Sequence, residues 1–344
     1  SGSAALTRVV GVADLECAHA ARRLNKPRTN RKRLLILPSR YSSARPDSTG
    51  VYLARDPSGR VTLRMAVRGY LRALLIAMAV PLLNHAFMGV AGFLQLRSLS
   101  VGWGEAIRAA TEAPLNYALV QAASVGVIFI IAFPHRSRGE GLLESVHVRP
   151  LIGGIVGLCF ASGAFLQLPF AELGNLVQEA WPISFEELAR RYRLVNPTTW
   201  SGGVSALIAL VLVAPVTEEL LFRGWILKDL EAEYGRTPAL LWSSLLFGLV
   251  HIEASAVIYA TLAGLVLGAV ALRAKSTLAS IAMHAGVNAV PLLVPANVVR
   301  IEGFNTLDEQ VVHISAWLLI TSLLCAAATL RLFWRATEPR VGDE

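Results

Sequence analysis

The chain has 344 residues, of which 54% are hydrophobic and 16% charged, with a formal net charge of +8. Its apolar residues come in long unbroken runs, more than one soluble core can use, so a soluble globular protein is excluded. The excess of Lys and Arg is unevenly distributed, which bears on orientation in a membrane rather than on a nucleic-acid partner.

Residues 1–64 are rich in Arg, Ser and Pro, with Arg31-Lys32-Arg33 as a basic knot and Leu34–Leu37 as a short apolar run. Such a segment cannot bury a core and is predicted to be a disordered cytoplasmic tail. It holds no apolar stretch of signal-peptide length followed by a small-residue cleavage site, so it should remain attached. Its cations suit either plain solvation or contact with anionic lipid headgroups, where each contributes about 1 kcal/mol.

A bilayer core of about 30 Å needs roughly 20 apolar residues per helical span. Ala73–Gln95, Leu115–Phe133, Leu151–Phe170 and Gly203–Leu227 meet or approach that length. Ala239–His251, Val257–Leu272, Leu278–Val294 and His313–Phe333 follow, the middle ones short. The predicted fold class is all-α, a polytopic membrane bundle of about eight transmembrane helices. Residues 65–200 are predicted to form accessory helices and an outer amphipathic loop, 201–300 a core of four helices, and 301–344 the last helix and a cytoplasmic tail.

With the N-terminus placed in the cytoplasm, only Arg97, Arg108, Arg190, Arg191, Arg193 and Arg300 fall on the outer side, against 26 of the 32 basic residues inside. That asymmetry predicts both termini in the cytoplasm and an integral protein of the plasma (inner) membrane, with membrane lipid as a partner. No sequence feature sets an oligomeric state.

Within the accessory region, Gly153, Gly154 and Gly157 are expected to allow close helix packing. In the outer connection Ala171–Trp200, Ser184 should cap a short amphipathic helix with Glu187 three residues on, lying on the membrane surface. Cys17, Cys159 and Cys325 suggest neither a disulfide framework nor a metal site. Asn84, His85, Asn116 and Gln121 are assigned structural roles, and His135, His147 and His313 sit at membrane edges where a solvated imidazole needs no function.

Ionisable groups inside a bilayer cost several kcal/mol to bury, so they mark functional sites by default. The fourth span carries Glu218-Glu219 followed by Arg223, the fifth Phe247 and His251, and the seventh His284 and Asn288. Adjacent helical residues diverge by about 100°, so Glu218 and Glu219 cannot aim at one point. Glu219 and Arg223, four apart, share a face and should pair, leaving Glu218 to face a cavity. His284 and Asn288 also share a face, and Phe247 lies one turn from His251, where it would wall the site. Peptide hydrolysis needs a general base for water and donors for the oxyanion, and these residue types supply both.

In these three motifs the sequence resembles the CPBP family, the CAAX proteases and bacteriocin-processing enzymes, which includes the Ras-converting CAAX endopeptidase and lysostaphin-resistance-like bacterial proteins. The family pattern of EExxxR, FxxxH and HxxxN occurs in order within about Gly203–Val299. The resemblance implies a CPBP-type four-helix catalytic core in which Glu218 and His251 activate water, His284 and Asn288 stabilise the oxyanion, and Glu219 and Arg223 are supports. It implies a membrane-associated protein or peptide as substrate, drawn from prenylated CAAX tails, bacteriocin precursors and C-terminal sorting signals. The substrate is expected to enter from the cytoplasmic leaflet.

No cofactor is expected. The alternative is zinc, since Glu218, His251 and His284 would make a His2Glu set. Against it, there is no HExxH, and with Glu218 as ligand the base would have to be Glu219, which points away towards Arg223. Two non-proteolytic alternatives remain: a transporter or proton relay using the same buried groups, and a non-catalytic immunity or scaffold protein.

Overall fold

A computed structural model describes residues 63–99, 102–132 and 141–338. The expectations for the basic tail, Cys17, His135 and the last few residues of the C-terminal tail fall outside these residues. Every regular element among the described residues is helical. In chain order they are α1 (Leu63–Leu99), α2 (Trp103–Glu112), α3 (Pro114–Ala132), α4 (Leu142–Ser145), α5 (Gly153–Ala180) and α6 (Phe185–Val195). The long helix α7 (Trp200–Tyr234) follows, then α8 (Arg236–Leu249), α9 (Ala254–Ala274), α10 (Thr277–Leu293) and α11 (Ala316–Ala336).

Among the described residues, six helices are long and apolar enough to cross a membrane: α1, α3, α5, α7, α9 and α11. The count of about eight is therefore not reached. The other two expected spans do fold as helices, but α8 has 14 residues and α10 has 17. At a rise of about 1.5 Å per residue they reach roughly 21 and 26 Å, short of a bilayer core. Their ends explain this. Gly235, with φ +82°, breaks the chain between α7 and α8, and Ile252 at φ +66° turns it sharply after α8. Lys275 is left-handed and Ser276 caps α10 by accepting from the backbone N–H of Leu278. The six long helices carry outward apolar side chains, such as Leu82 at 71% exposure and Ile130 at 76%, which suit lipid contact.

Hydrogen bonds between chain-distant residues define two ends of the bundle. At one end the Gly69 N–H donates to the Tyr234 hydroxyl (3.1 Å), Arg236 to the Leu272 carbonyl (3.0 Å), Thr277 to the Val146 carbonyl (2.7 Å) and Arg273 to the Trp334 carbonyl (2.7 Å). At the other, Arg193 pairs with Glu112 (3.0 Å), Arg191 with Glu253, Asn175 donates to the Gly303 carbonyl (2.7 Å) and His313 meets Glu172 (2.7 Å). The first end gathers the starts of α1, α8 and α10 and the ends of α7, α9 and α11. The second gathers α2, α6, the later part of α5, the start of α9 and the loop after α10.

Close packing of α5 on α10 uses a different glycine from those expected. A Cβ on Gly153, Gly154 or Gly157 would meet open space. One on Gly163 would sit 1.9 Å from the Met283 carbonyl oxygen, and one on Gly286 would sit 2.0 Å from that of Phe160. The two glycines let the backbones touch where α10 carries its histidine.

In the connection between α5 and α7, the Ser184 hydroxyl accepts from the Glu187 backbone N–H at 3.2 Å, forming the cap of α6.

Candidate active site

Helix α7 is not uniform. It is α-helical at Trp200–Ala206, Ala214–Glu219 and Leu227–Tyr234, with π-helical stretches at Leu207–Val213 and Leu220–Ile226 between them. Pro215 lacks an N–H and crowds the preceding turn, which accounts for the first widening. The carbonyl of Leu210 in that stretch is taken by Asn288, whose Nδ2 donates to it at 2.8 Å. Asn288 thus ties α10 to the irregular part of α7 and retains a second amide hydrogen.

A cavity of ≈ 410 Å³ is lined by Glu218, Phe247, His251, His284 and Asn288. Five of the seven residues singled out in the motifs therefore share one space, although they come from α7, the end of α8 and α10. Glu219 and Arg223 do not line it. They lie behind it, at 0% and 1% exposure, with Arg223 Nη1 donating to Glu219 Oε1 at 2.8 Å. Arg223 also donates to the Gly264 carbonyl at 3.2 Å, and its guanidinium sits 4.2 Å above the Phe247 ring. Hydrogen bonds and a π-face together surround a cation that would otherwise be too costly to bury.

The same Glu219 oxygen accepts from His284 Nδ1 at 2.9 Å. In neutral imidazole this fixes the proton on Nδ1 and leaves Nε2 bare, 4.0 Å from Glu218 Oε2. His251 is set in the same sense, because its Nδ1 lies 2.8 Å from the Phe247 carbonyl oxygen, which can only accept. Phe247 stands edge-on to both imidazoles, at 5.2 and 5.9 Å between ring centres.

Sequence reasoning gave Gln121 and Asn84 merely structural roles, and the structure joins them to the site. Gln121, 3% exposed, donates through Nε2 to Glu218 Oε1 at 3.4 Å, and its own Oε1 accepts from Asn84 Nδ2 at 2.8 Å. The available signal was a carboxamide in each of two apolar spans, where an unpaired polar group is costly. Tyr117, Gln167, Gln178 and Tyr259 also line the cavity. No motif marks them.

Glu218, His251 and His284 have donor types that zinc accepts, with each Nδ1 held by an acceptor as second-shell partners usually are. As placed, no group of three or more His, Cys, Asp or Glu among the described residues is close enough to hold a metal ion.

Residues 200–290, about a quarter of the chain, match the family Type II CAAX prenyl endopeptidase Rce1-like. No curated protein and no solved structure matches the chain. All three motifs lie within the matched segment, so residues 200–290 of this membrane protein form an Rce1-like domain.

Proposed function

We propose that the protein is an intramembrane endopeptidase in which Glu218 activates the attacking water. The observation that carries this reading is the single cavity into which α7, α8 and α10 bring Glu218, His251, His284 and Asn288. Glu218 takes a proton from water while the bare Nε2 of His251 accepts the other, fixing the oxygen for attack on the scissile carbonyl. The second amide hydrogen of Asn288 faces the developing oxyanion. His284 acts as a proton relay and not as the oxyanion donor the resemblance implies, because its Nε2 carries no hydrogen in the neutral form. The proton can pass from Glu218 to that Nε2, and from the imidazolium to the leaving nitrogen, so that one water and one peptide bond yield a carboxylic acid and an amine. Glu219 and Arg223 hold His284 in place rather than reacting.

A zinc-dependent form of the same protease is the second reading, favoured by the orientation of both imidazoles with Nε2 towards the cavity. It would use Glu218, His251 and His284 as ligands and would leave the water without a base, because Glu219 is already committed to Arg223 and His284.

The test is purified protein incubated with a peptide library, products read by mass spectrometry, beside Glu218→Gln and with metal content measured. Cleavage that needs Glu218 and survives chelation supports the first reading. Stoichiometric zinc with recovery on its return supports the second. Ion flux in proteoliposomes without cleavage overturns both.

A further inference from the structure

The cavity is not equidistant from the two ends of the bundle. From Glu218, midway along α7, its lining runs through Ala214 and Leu210 towards the start of that helix, and along α5 through Gly174 to Gln178, two residues from its end. Tyr117 near the start of α3 and Tyr259 near the start of α9 complete that side. Gln178 and Ala171 also line a second cavity of ≈ 240 Å³, whose other walls include Pro182, Phe185, Asp308 and Glu309 from the connections at that end. Towards the opposite end the path is closed. Leu221, Phe222, Arg223, Trp225, Ile226 and Leu227 are at most 3% exposed and form a dry plug one to two turns thick.

The two ends also differ in charge. Outside the buried Glu218, Glu219 and Arg223, the plugged end holds nine Lys and Arg against five Asp and Glu among the described side chains. The open end holds four against ten. Three of its four cations are moreover neutralised locally, Arg190 by Glu187, Arg191 by Glu187 and Glu253, and Arg193 by Glu112. Lys and Arg near helix ends are retained on the cytoplasmic side, so the plugged end is the cytoplasmic one.

We propose that the cavity is entered from the non-cytoplasmic face, so that the substrate is a polypeptide segment exposed outside the cytoplasm, neutral or cationic where it passes Asp308 and Glu309. This rests on the proteolytic reading above and replaces the expected entry from the cytoplasmic leaflet, because apolar span composition does not reveal which end of the bundle is plugged.

The test reads access without needing turnover. Gly174 lines the cavity and a Cβ there meets nothing within 4 Å, so Gly174→Cys should fold. Arg149→Cys reports the exposed plugged end, and a Cys17→Ser parent with Cys159 and Cys325 retained gives the background. A membrane-impermeant maleimide should label Gly174→Cys in spheroplasts and Arg149→Cys only in inside-out vesicles, each several-fold above the parent. The reverse pattern overturns the proposal, as does labelling of both positions from one side or a Gly174→Cys that reacts from neither. Adding Glu218→Gln should leave the pattern unchanged, so an absence of cleavage would count against the protease reading alone.

Discussion

The Nδ1 atom of His284 lies 2.9 Å from Oε1 of Glu219, joining two helices through the carboxylate that sequence spacing had assigned to Arg223 alone. Glu219 is thus shared between a guanidinium and an imidazole in a site closed to water. Removing one partner of a buried ion pair costs about 3 to 5 kcal/mol, because the other charge is left uncompensated. Glu219→Gln should therefore lower both yield and thermal stability as well as activity. A variant that melts with the wild type would contradict this role.

Glu218 faces the cavity and accepts a hydrogen bond from Gln121 Nε2 at 3.4 Å. Glu218→Gln preserves shape and removes the proton acceptor, a loss that commonly lowers rate by about 100- to 10,000-fold. Peptide turnover should fall by that order while the melting temperature stays near that of wild type. The contrast with Glu219→Gln, two adjacent carboxylates giving different phenotypes, is read from one set of melting curves and one assay.

Much of this arrangement is legible from spacing. The four-residue interval His284–Asn288 lies within α10 and fixes a shared face, while Glu219–Arg223 keeps its pairing across the start of a π-helical stretch and His251 keeps its place beside Phe247 in the turn just after α8. What spacing cannot supply is the relation between helices. Asn288 donating to Leu210 depends on a π-helical stretch, Arg223 donating to Gly264 depends on how α9 crosses α7, and neither carbonyl differs from its neighbours in sequence. The expected eight spans are not confirmed for a related reason: α8 and α10 have apolar composition, but their lengths are cut by turns at Gly235, Ile252 and Lys275 whose positive φ no hydropathy window registers.

The Gly286 contact with α5 places a backbone where a methyl group would overlap the Phe160 carbonyl oxygen. Gly286→Ala must push α10 outward, at a cost of about 1 to 3 kcal/mol for overpacking. Because His284 and Asn288 ride on the same helix, activity should fall further than stability, and Gly153→Ala, which meets open space, should change neither. Equal behaviour of the two alanine variants in melting and turnover would refute the assignment.

Gln121 touches Glu218 without lining the cavity, so it is a positioning residue. A hydrogen bond to a charged group contributes about 1.5 to 3 kcal/mol, which sets an upper scale of roughly 10- to 100-fold for its loss; the 3.4 Å separation points to the lower end. Gln121→Leu should reduce kcat about tenfold with KM unchanged. A rise in KM at constant kcat would place Gln121 in substrate binding instead.

Helix α6 is fastened at the open end of the bundle by Arg191, which bridges Glu187 on its own helix and Glu253 in the turn that follows His251. The hydrogen bond from Arg190, with further help from Arg191, holds the Glu187 carboxyl below its ordinary value against the opposing effect of burial. Burial pushes Glu253 upward, but the Ser255 hydroxyl and Arg191 together outweigh it and hold that carboxyl low as well. Groups depressed on folding contribute stability that is complete above their unfolded value and disappears as pH falls through the folded one. The fastening should therefore be insensitive to pH from neutrality down to about 5 and weaken below about 4. Amide hydrogen exchange in α6, corrected for intrinsic rate, should be slow near neutral pH and faster at about pH 3.5, while Arg191→Ala should exchange fast at both. An α6 equally protected in Arg191→Ala and wild type at neutral pH would show that the helix is held by its apolar face and not by this pair.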